Sequence, residues 1–337
     1  MAPEKQKRRN FMNEITNQNN KPIIPIFFAS DDNYVPFLAV TLQSLEQNAD
    51  TNYHYDIKIL NADNISVENK MKILAEFEKD DFDIEFVDVT PFIETMSSKL
   101  HTRDYYSKST YYRLLIPNMY PQYDKALYLD CDIVINDSIS DLYNIEIGDN
   151  YVGAIPDQAV SYMCDEFKDY VENRIGVPSY RNYFNAGILV MNLKKLREIE
   201  FEDKFIKLLT SVKFDVAQDQ DYLNVICNGH VKYIDETWNS MPIPVDIKRP
   251  NRPALMHYNL SFKPWHLDDV IYEEFFWNYA RKTSYIETIL NIKKSYSKQM
   301  QENTERVTKN LIVNARNQAD DAVENLRVAK IVREILG

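Results

Sequence analysis

Two carboxylates stand inside an apolar run at residues 125–135, and this feature most constrains what the chain can fold into. A continuous apolar run bounded by polar residues is typical of a buried strand, in which side chains two positions apart face the same side. Asp130 and Asp132 should therefore face one way and Cys131 the other. Two ionised carboxylates at the edge of a core need a cation, a proton or basic side chains to compensate their charge. A divalent metal ion would do so most directly, and a solvated strand end is an equal alternative.

The composition is typical of a soluble globular protein: of 337 residues, 45% are hydrophobic and 27% are charged. The 51 Asp and Glu residues exceed the 39 Lys and Arg residues, and the resulting net charge of −12 argues against nucleic-acid binding. The three cysteines lack paired metal-ligand spacing, which favours free thiols in a reduced compartment. No stretch approaches the roughly 18 apolar residues of a membrane span. We therefore expect a cytoplasmic location with at most peripheral membrane contact.

Predicted strands and helices alternate along residues 23–89. Buried strands are predicted at residues 23–29, 55–60 and 83–89, with amphipathic helices at residues 35–45 and 66–78 between them. This order predicts a parallel sheet in a three-layer α/β domain. Pro25 has no amide hydrogen to give to a sheet ladder, so it argues against a central position for the first strand.

The chain divides by composition into three parts. Residues 1–21 are polar and Asn-rich and are predicted to be a disordered leader, residues 22–284 form the α/β domain, and residues 285–337 form a helical tail. Apolar residues in the tail follow alternating spacings of three and four, like a short coiled coil. They are Ile312, Ala315, Ala319, Ala322, Leu326 and Ala329. The tail would dock on its own domain or form a homo-oligomer with another subunit.

Charged residues within apolar segments are candidates for a functional site. Arg113 lies among aromatic and aliphatic residues and needs an anion. Asp130, Asp132, a ligand phosphate and a plain structural salt bridge are equal candidates for that partner. His257 inside an apolar run is, taken alone, more often a hydrogen-bonded core residue than a ligand. Lys263, followed by proline and tryptophan, is a positioned cation.

Several other polar residues have simple structural explanations. Asp31 is in a position typical of a helix cap, and Asp219 and Asp221 are in positions typical of partners of a helix dipole. Gln220 between them has no such role. Gly187 inside a predicted strand suggests close approach by a ligand or by another backbone segment.

Five landmarks stand in one order along the chain. They are Phe28-Ala29-Ser30-Asp31-Asp32-Asn33-Tyr34, Tyr112-Arg113-Leu114, Leu127-Tyr128-Leu129-Asp130-Cys131-Asp132, Phe184-Asn185-Ala186-Gly187 with Gln218-Asp219-Gln220-Asp221, and His257 with Lys263-Pro264-Trp265. This ordered set resembles glycosyltransferase family 8, the retaining GT-A enzymes that include bacterial lipopolysaccharide galactosyl- and glucosyltransferases. The resemblance covers about residues 23–280 and implies an α/β GT-A fold, a three-layer domain with a mostly parallel mixed sheet.

The resemblance implies a role for each matching position. The ligands of a Mn²⁺ ion, or of Mg²⁺ in its place, that bridges the diphosphate of a UDP-sugar would be Asp130, Asp132 and His257. The nucleotide would contact Ala29, Asp31, Asn33, Tyr34, Cys131, Leu260 and Lys263, with uracil and ribose at Asp31, Asn33 and Tyr34 and the phosphates at Lys263. The donor sugar would be surrounded by Arg113, Asp157, Asn185, Asp219 and Gln220, with Gln220 at the position of the family's candidate nucleophile. The family often has glycine where this chain has Leu260, which puts the approach of Lys263 in doubt.

The implied function is transfer of glucose or galactose from UDP-glucose or UDP-galactose to a glycan, lipid-linked or protein acceptor. The residues support it, because two carboxylates and a neutral imidazole leave coordination positions for phosphate oxygens and a nitrogen ligand favours Mn²⁺ over Mg²⁺. One alternative is a haloacid-dehalogenase-type phosphatase, whose signature is also an apolar strand followed by Asp-x-Asp. The position of the motif, far from the first predicted strand, weighs against it. The other alternative is a catalytically silent UDP-sugar-binding scaffold that uses the helical tail.

Overall fold

The computed structural model describes residues 16–17, 19–99 and 109–337. The predicted leader lies mostly outside these ranges, although Thr16 forms an isolated antiparallel bridge with Pro22. Among the helices in the described ranges, none is long and apolar enough to cross a membrane. The cytoplasmic location stays a prediction.

The strands of the described residues form two sheets. They are β1 (Ile23–Ala29), β2 (His54–Asn61), β3 (Phe82–Asp88), β4 (Ala126–Leu129), β5 (Ile133–Ile135), β6 (Val152–Pro156), β7 (Phe184–Met191), β8 (Val231–Tyr233) and β9 (Leu255–His257). The main sheet has the order β3-β2-β1-β4-β7-β6-β8, and β5 and β9 form a separate antiparallel pair. In the main sheet, β7 is antiparallel to both of its neighbours, and the other pairs are parallel. The predicted mostly parallel, mixed sheet is confirmed.

Helices connect the strands and form the end of the chain. They are α1 (Val35–Gln47), α2 (Val67–Glu76), α3 (Thr90–Lys99), α4 (Ile116–Met119), α5 (Ile139–Tyr143), α6 (Gln158–Tyr162), α7 (Asp165–Tyr170), α8 (Leu193–Glu198), α9 (Phe201–Ser211), α10 (Asp219–Ile226), α11 (Glu273–Ala280), α12 (Ile286–Ser295), α13 (Lys298–Asp320) and α14 (Ala322–Leu336). Short 3₁₀ helices occur at Ser109–Leu114, Tyr180–Asn182 and Glu236–Asn239, and a π-helical turn at Val171–Ile175.

Successive residues of the central strands enter two different cores. In β1, Ile26 and Phe28 pack into one buried cluster and Phe27 into the other, and in β4 Leu129 and Tyr128 divide in the same way. Side chains alternate along a strand, so a strand covered on both faces reads as a continuous apolar run. Helices α1, α11 and α12 contribute to the first cluster and α8, α9 and α10 to the second. The sheet is therefore the middle layer of three.

The first strand is central in the sheet despite Pro25. β1 lies between β2 and β4, contrary to the expectation from the proline. β4 is short and pairs with β1 only at Ile26 and Phe27, so Pro25 lies outside that pairing. The missing amide hydrogen of Pro25 therefore removes no hydrogen bond to β4.

The apolar run at residues 125–135 is two strands in different sheets, so the prediction of one continuous strand is wrong. Asp130–Asp132 form the turn between β4 and β5. Thr41 of α1 holds this turn, because its hydroxyl donates to the carbonyls of Cys131 (2.9 Å) and Ile133 (2.8 Å). The turn lets β5 leave the main sheet and pair with β9, which places Ile133 opposite His257.

The predicted orientation of the side chains in this turn is confirmed. The Cys131 thiol is buried and donates to the carbonyl of Ala29 (3.2 Å). The carboxylates of Asp130 and Asp132 both line a cavity on the other side. Asp130 and Asp132 therefore face one side of the turn and Cys131 the other, as they would in a strand.

The helical tail docks on its own domain. Ala319 of α13 and Val328 of α14 are buried in the same cluster as residues of α7 and α9. The predicted continuous seam is wrong beyond Ala319, because Asp321 interrupts the helix and caps α14 by accepting from the amide of Glu324 (3.0 Å). Leu326, a predicted member of the seam, is 73% exposed after this break. The homo-oligomer through the tail stays a prediction.

Candidate active site

Asp130, Asp132 and His257 come together beside the carboxyl end of β4. One ligand atom from each residue can be chosen so that all three lie within 4.8 Å of one another. His257 Nε2 lies 3.7 Å from Asp130 Oδ2 and 3.3 Å from Asp132 Oδ1. The pairing of β5 with β9 fixes this arrangement, and the amide of Tyr258 also donates to the carbonyl of Asp132 (2.9 Å). The three residues predicted to be metal ligands therefore converge on one point.

Hydrogen bonds identify the nitrogen of His257 that can act as a ligand. The backbone amide of Gly187 donates to Asn185 Oδ1 (3.0 Å), and the same oxygen accepts from Asn239 Nδ2 (3.1 Å). Asn239 therefore turns its carboxamide oxygen toward His257 Nδ1 (3.0 Å), and Nδ1 donates a hydrogen to it. His257 Nε2 is then the nitrogen that can offer a lone pair to a metal ion.

Two buried basic side chains compensate the carboxylates. Lys263 Nζ pairs with Asp132, and Arg113 lies between Asp130 (Nη2 to Oδ1, 3.2 Å) and Asp219 (Nε to Oδ2, 3.0 Å). Burial raises the pKa of Asp132, but attraction to Lys263 and His257, together with their hydrogen bonds to the carboxylate, outweighs burial and holds this pKa well below its usual range. Burial lowers the pKa of Arg113, but Asp219, Tyr128, Asp130 and Asp132 together raise it by more, so it lies above its ordinary value. The basic side chains thus keep the site charged.

The carboxamides of Asn185 and Gln220 contact Asp157, the N-cap residue of α6. The backbone amide of Ala186 donates to Gln220 Oε1 (2.9 Å), which turns Gln220 Nε2 to donate to Asp157 Oδ2 (3.0 Å). Asn185 Nδ2 donates to the same Asp157 oxygen (3.1 Å) and to Gln220 Oε1 (3.2 Å). Gln220 Oε1 therefore accepts two hydrogen bonds from the protein, the usual capacity of a carbonyl oxygen.

Asp219 and Asp221 lie in the first turn of α10, as predicted, and both also have buried side-chain partners. Asp219 is buried against Arg113. Asp221 is fully buried and accepts from the hydroxyls of Tyr170 (2.9 Å) and Tyr183 (2.7 Å). Burial raises the pKa of Asp221 to about 6. Both residues therefore lie where partners of the helix dipole are expected, and their buried side-chain pairings give each a further role.

Gly187 leaves no room for a side chain beside the candidate metal site. A Cβ atom at this position would lie 2.5 Å from His257 Cε1 and 2.6 Å from Asp130 Oδ2. The amide of Asp130 also donates to the carbonyl of Gly187 (2.8 Å). Gly187 is therefore closely approached, but by the side chains of two candidate metal ligands and not by the predicted ligand or backbone segment.

Most of these side chains line one cavity of about 260 Å³. Its lining includes the predicted site residues Arg113, Asp130, Asp132, Asn185, Asp219, Gln220, His257 and Leu260. Three carboxylates, an imidazole and a guanidinium in one cavity suit an anionic ligand that binds together with a divalent cation.

Comparison with known proteins identifies the family. Residues 25–269 match the family described as glycosyl transferase family 8. The chain belongs to glycosyltransferase family 8.

Relatives and a solved structure agree with this family 8 assignment. A protein of Haemophilus influenzae named as a glycosyltransferase is 32% identical over 252 residues, which are 72% of each chain. The lipopolysaccharide 1,2-glucosyltransferase of Escherichia coli is 26% identical over 258 residues, 70% of this chain and 71% of that protein. The structure of the galactosyltransferase LgtC in complex with donor and acceptor sugar analogues has a TM-score of 0.58 at 28% identity, over 77% of this chain and 96% of that chain. The predicted GT-A fold is confirmed.

The family 8 positions expected at the nucleotide lie near the end of β1. Asp31 Oδ1 accepts from the amide of Tyr34 (3.1 Å), but Tyr34 is itself the N-cap residue of α1, so Asp31 closes the turn before the helix and is not the predicted helix cap. Tyr34 is 38% exposed, with Lys263 Nζ 6.0 Å from the centre of its ring, and Asn33 is exposed. The lining of the 260 Å³ cavity does not include Ala29, Asp31, Asn33, Tyr34, Cys131 or Lys263. Their nucleotide-binding roles stay predictions.

Leu260 stands where family 8 often has glycine, and its backbone conformation is strained. Its φ is 52°, in the left-handed region that glycine adopts without strain, and its side chain is 46% exposed. Such strain in a non-glycine residue is found most often at functional sites. The leucine therefore keeps a glycine-like backbone at the edge of the cavity.

The sequence analysis did not single out three buried asparagines that shape the site. Asn239 orients His257, and Asn259 lines the cavity. Asn224 anchors α10 to β7, because its side chain bonds the amide (2.8 Å) and the carbonyl (2.9 Å) of Phe184. A polar residue on the apolar face of the predicted helix could have indicated Asn224, whereas Asn239 lies in an irregular segment that gives no periodic signal.

Proposed function

We propose that the chain is a Mn²⁺-dependent retaining glycosyltransferase that moves glucose or galactose from a UDP-sugar to a glycan, lipid-linked or protein acceptor. The observation that carries the proposal is the convergence of Asp130, Asp132 and His257. The galactosyltransferase and the glucosyltransferase among its relatives support a hexose as the transferred group.

The residues fit a Mn²⁺ ion. Asp130, Asp132 and His257 Nε2 would hold it, leaving coordination positions for phosphate oxygens, and the nitrogen ligand favours Mn²⁺ over the harder Mg²⁺. Asn239 fixes the imidazole in the required orientation from behind. When bound, the ion would stabilise the negative charge that develops on the departing UDP.

Two basic side chains would also contribute to the electrostatics of UDP departure. Lys263 is buried beside Asp132 and would pair with a phosphate of the donor. Arg113 is held between Asp130 and Asp219, so it keeps both carboxylates oriented toward the cavity. Catalysis would then rest on positioning and electrostatic stabilisation.

Gln220 would position the donor sugar. Its Oε1 accepts from the amide of Ala186 and from Asn185, and its Nε2 donates to Asp157. A nucleophilic attack by Oε1 would use a lone pair that these bonds already occupy. This arrangement supports front-face departure of UDP and attack by the acceptor over a covalent adduct with Gln220.

A donor screen tests the proposal against both alternatives. UDP release is measured with UDP-glucose and UDP-galactose in Mn²⁺, in Mg²⁺ and in a chelator, for the wild type and for Asp132→Ala and His257→Ala. We expect Mn²⁺-dependent release that falls by at least about 100-fold in both variants, since each lacks a metal ligand. His230→Ala is the matched control, because His230 is exposed and stacks on Tyr151 away from the site.

The other outcomes are equally specific. Tight UDP binding without turnover on a broad acceptor panel would support the scaffold instead. Release of phosphate from phosphate esters that Asp130→Asn abolishes, without UDP-sugar turnover, would support the phosphatase, which family 8 membership disfavours.

A further inference from the structure

A second cavity, of about 210 Å³, adjoins the candidate active site. The two cavities share Asn185, Val216, Ala217, Gln220, Asn259 and Leu260. Asp157, which accepts from Gln220, also lines the second cavity. A molecule in the second cavity would therefore reach the residues proposed to surround the donor sugar.

The walls of the second cavity away from the shared residues are largely apolar. Met163 and Phe167 line it from the segment of α6 and α7, Phe262 from the chain after β9, and Leu311 from α13 of the tail. A sugar ring against these walls would bury hydroxyl groups without partners, which is unfavourable. A hydrocarbon group would gain by leaving water there. The cavity therefore suits the apolar part of a ligand.

One polar atom at the boundary of the two cavities lacks a partner among the described residues. Asn259 is 8% exposed, and its Oδ1 accepts no hydrogen bond from the part of the chain that the structure describes, whereas its Nδ2 lies 3.2 Å from Met241 Sδ. Buried carboxamide oxygens are normally hydrogen-bonded. Because Asn259 lines both cavities, a ligand hydroxyl between them would supply the missing donor.

We propose that the second cavity binds the apolar aglycone of the acceptor, with the accepting end of the molecule between Asn259 and Gln220 and with α13 as one wall. This inference rests on the proposed glycosyltransferase function. The acceptor hydroxyl oxygen forms a bond to the anomeric carbon as the bond from that carbon to the UDP phosphate oxygen breaks, and the hydroxyl proton passes to the departing UDP. The acceptor class is a glycoside that carries an alkyl or aryl group.

Calorimetric titration of the full chain, in the presence of UDP and Mn²⁺, tests the cavity directly. The probes are octyl, phenyl and methyl β-glucoside and the matching galactosides, each kept below its micelle concentration. We expect the octyl glycoside to bind at least about tenfold more tightly than the methyl glycoside, since burial of two methylene groups is enough for that gain. Tight binding of the phenyl glycoside as well identifies aromatic aglycones as ligands, and tight binding of the octyl glycoside alone identifies alkyl chains.

A pair of variants on α13 locates the binding. Leu311→Trp fills the cavity and should remove the advantage of the octyl glycoside. Val313→Trp places the same side chain at a position that is 53% exposed on the same helix and should keep the advantage. Equal affinity of the wild type for octyl and methyl glycosides would overturn the inference, and so would Leu311→Trp with its discrimination intact. Absence of UDP release from every UDP-sugar on a broad acceptor panel, measured separately, would instead overturn the proposed function.

Discussion

Replacing Gly187 with alanine should weaken metal binding without unfolding the sheet. The added Cβ atom would lie 2.5 Å from His257 Cε1 and 2.6 Å from Asp130 Oδ2, whereas ordinary contacts are 3.4–4 Å. To restore the shorter of these ordinary contacts, 3.4 Å, the imidazole must move by 0.9 Å and the carboxylate by 0.8 Å. Gly187 lies in β7 without a positive φ, so its backbone accepts alanine. The change therefore acts on two candidate ligands rather than on the strand.

The magnitude follows from the size of these displacements. Disturbing the groups that orient metal ligands typically weakens metal binding by about 10- to 100-fold. A misplacement of about 1 Å in a catalytic group also lowers the rate by about 100-fold. We expect the Mn²⁺ concentration for half-maximal UDP release by Gly187→Ala to rise by about 10- to 100-fold.

Gly153→Ala is the matched control. A Cβ atom at Gly153 would lie 2.8 Å from Ile147 Cγ2 and 3.0 Å from Ile234 Cδ1, in the apolar core and away from the candidate ligands. Overpacking of a core typically costs about 1–3 kcal/mol of unfolding free energy. Gly153→Ala should therefore lower the urea midpoint and keep the Mn²⁺ dependence of the wild type.

The assay measures UDP release against Mn²⁺ concentration, together with urea unfolding, for the wild type and both variants. Wild-type Mn²⁺ dependence in Gly187→Ala, with its fold intact, would refute the reasoning. It would mean that Asp130, Asp132 and His257 do not hold the metal ion.

Three further predictions test other parts of the site. Protonated Asp221 stabilises the fold below the ordinary pKa of an aspartate, 3.8, and this contribution is lost as the pH rises through the raised pKa of about 6. The unfolding free energy of the wild type minus that of Asp221→Asn should therefore fall by about 3 kcal/mol between pH 3.8 and pH 7, and parallel urea-unfolding profiles would contradict this. Asn239→Leu removes the acceptor of His257 Nδ1 and should weaken Mn²⁺ binding by about 10- to 100-fold in a direct Mn²⁺ titration. Unchanged affinity would contradict the assigned orientation of the His257 ring. Arg113→Met removes the cation paired with buried Asp219 and should lower the unfolding free energy by about 3–5 kcal/mol, part of which Asp219→Asn in the same chain should restore. No recovery in the double variant would mean that loss of this ion pair does not cause the destabilisation.

Local patterns predicted the elements that depend on neighbours in the sequence. A continuous apolar run located β1 at its observed bounds, Ile23–Ala29. Ser66 caps α2 as its position predicted, since its hydroxyl accepts from the amide of Asn69 (3.3 Å). These features form within a few residues, so periodicity and capping rules are sufficient for them.

The parts that sequence patterns could not predict depend on distant pairings. The turn at Asp130–Asp132 breaks an apolar run because β5 pairs with β9 much later in the chain. Asn239 acts on His257 through contacts with Asn185 that no local pattern records. In the tail, apolar residues at spacings of three and four continue past Asp321. One continuous helix does not form, because Asp321 caps a second helix, α14. The candidate metal ligands could be recognised from the order of their motifs in the sequence. The groups that orient them could be identified only from the folded structure.

Anomalous diffraction at the manganese edge, from crystals grown with Mn²⁺ and UDP, tests the central claim most directly. The account predicts an anomalous peak held by Asp130, Asp132 and His257 Nε2, with the diphosphate of UDP on its open side and no such peak in crystals of His257→Ala. A manganese peak held by other residues, or UDP bound with no metal ion at these three side chains, would contradict it.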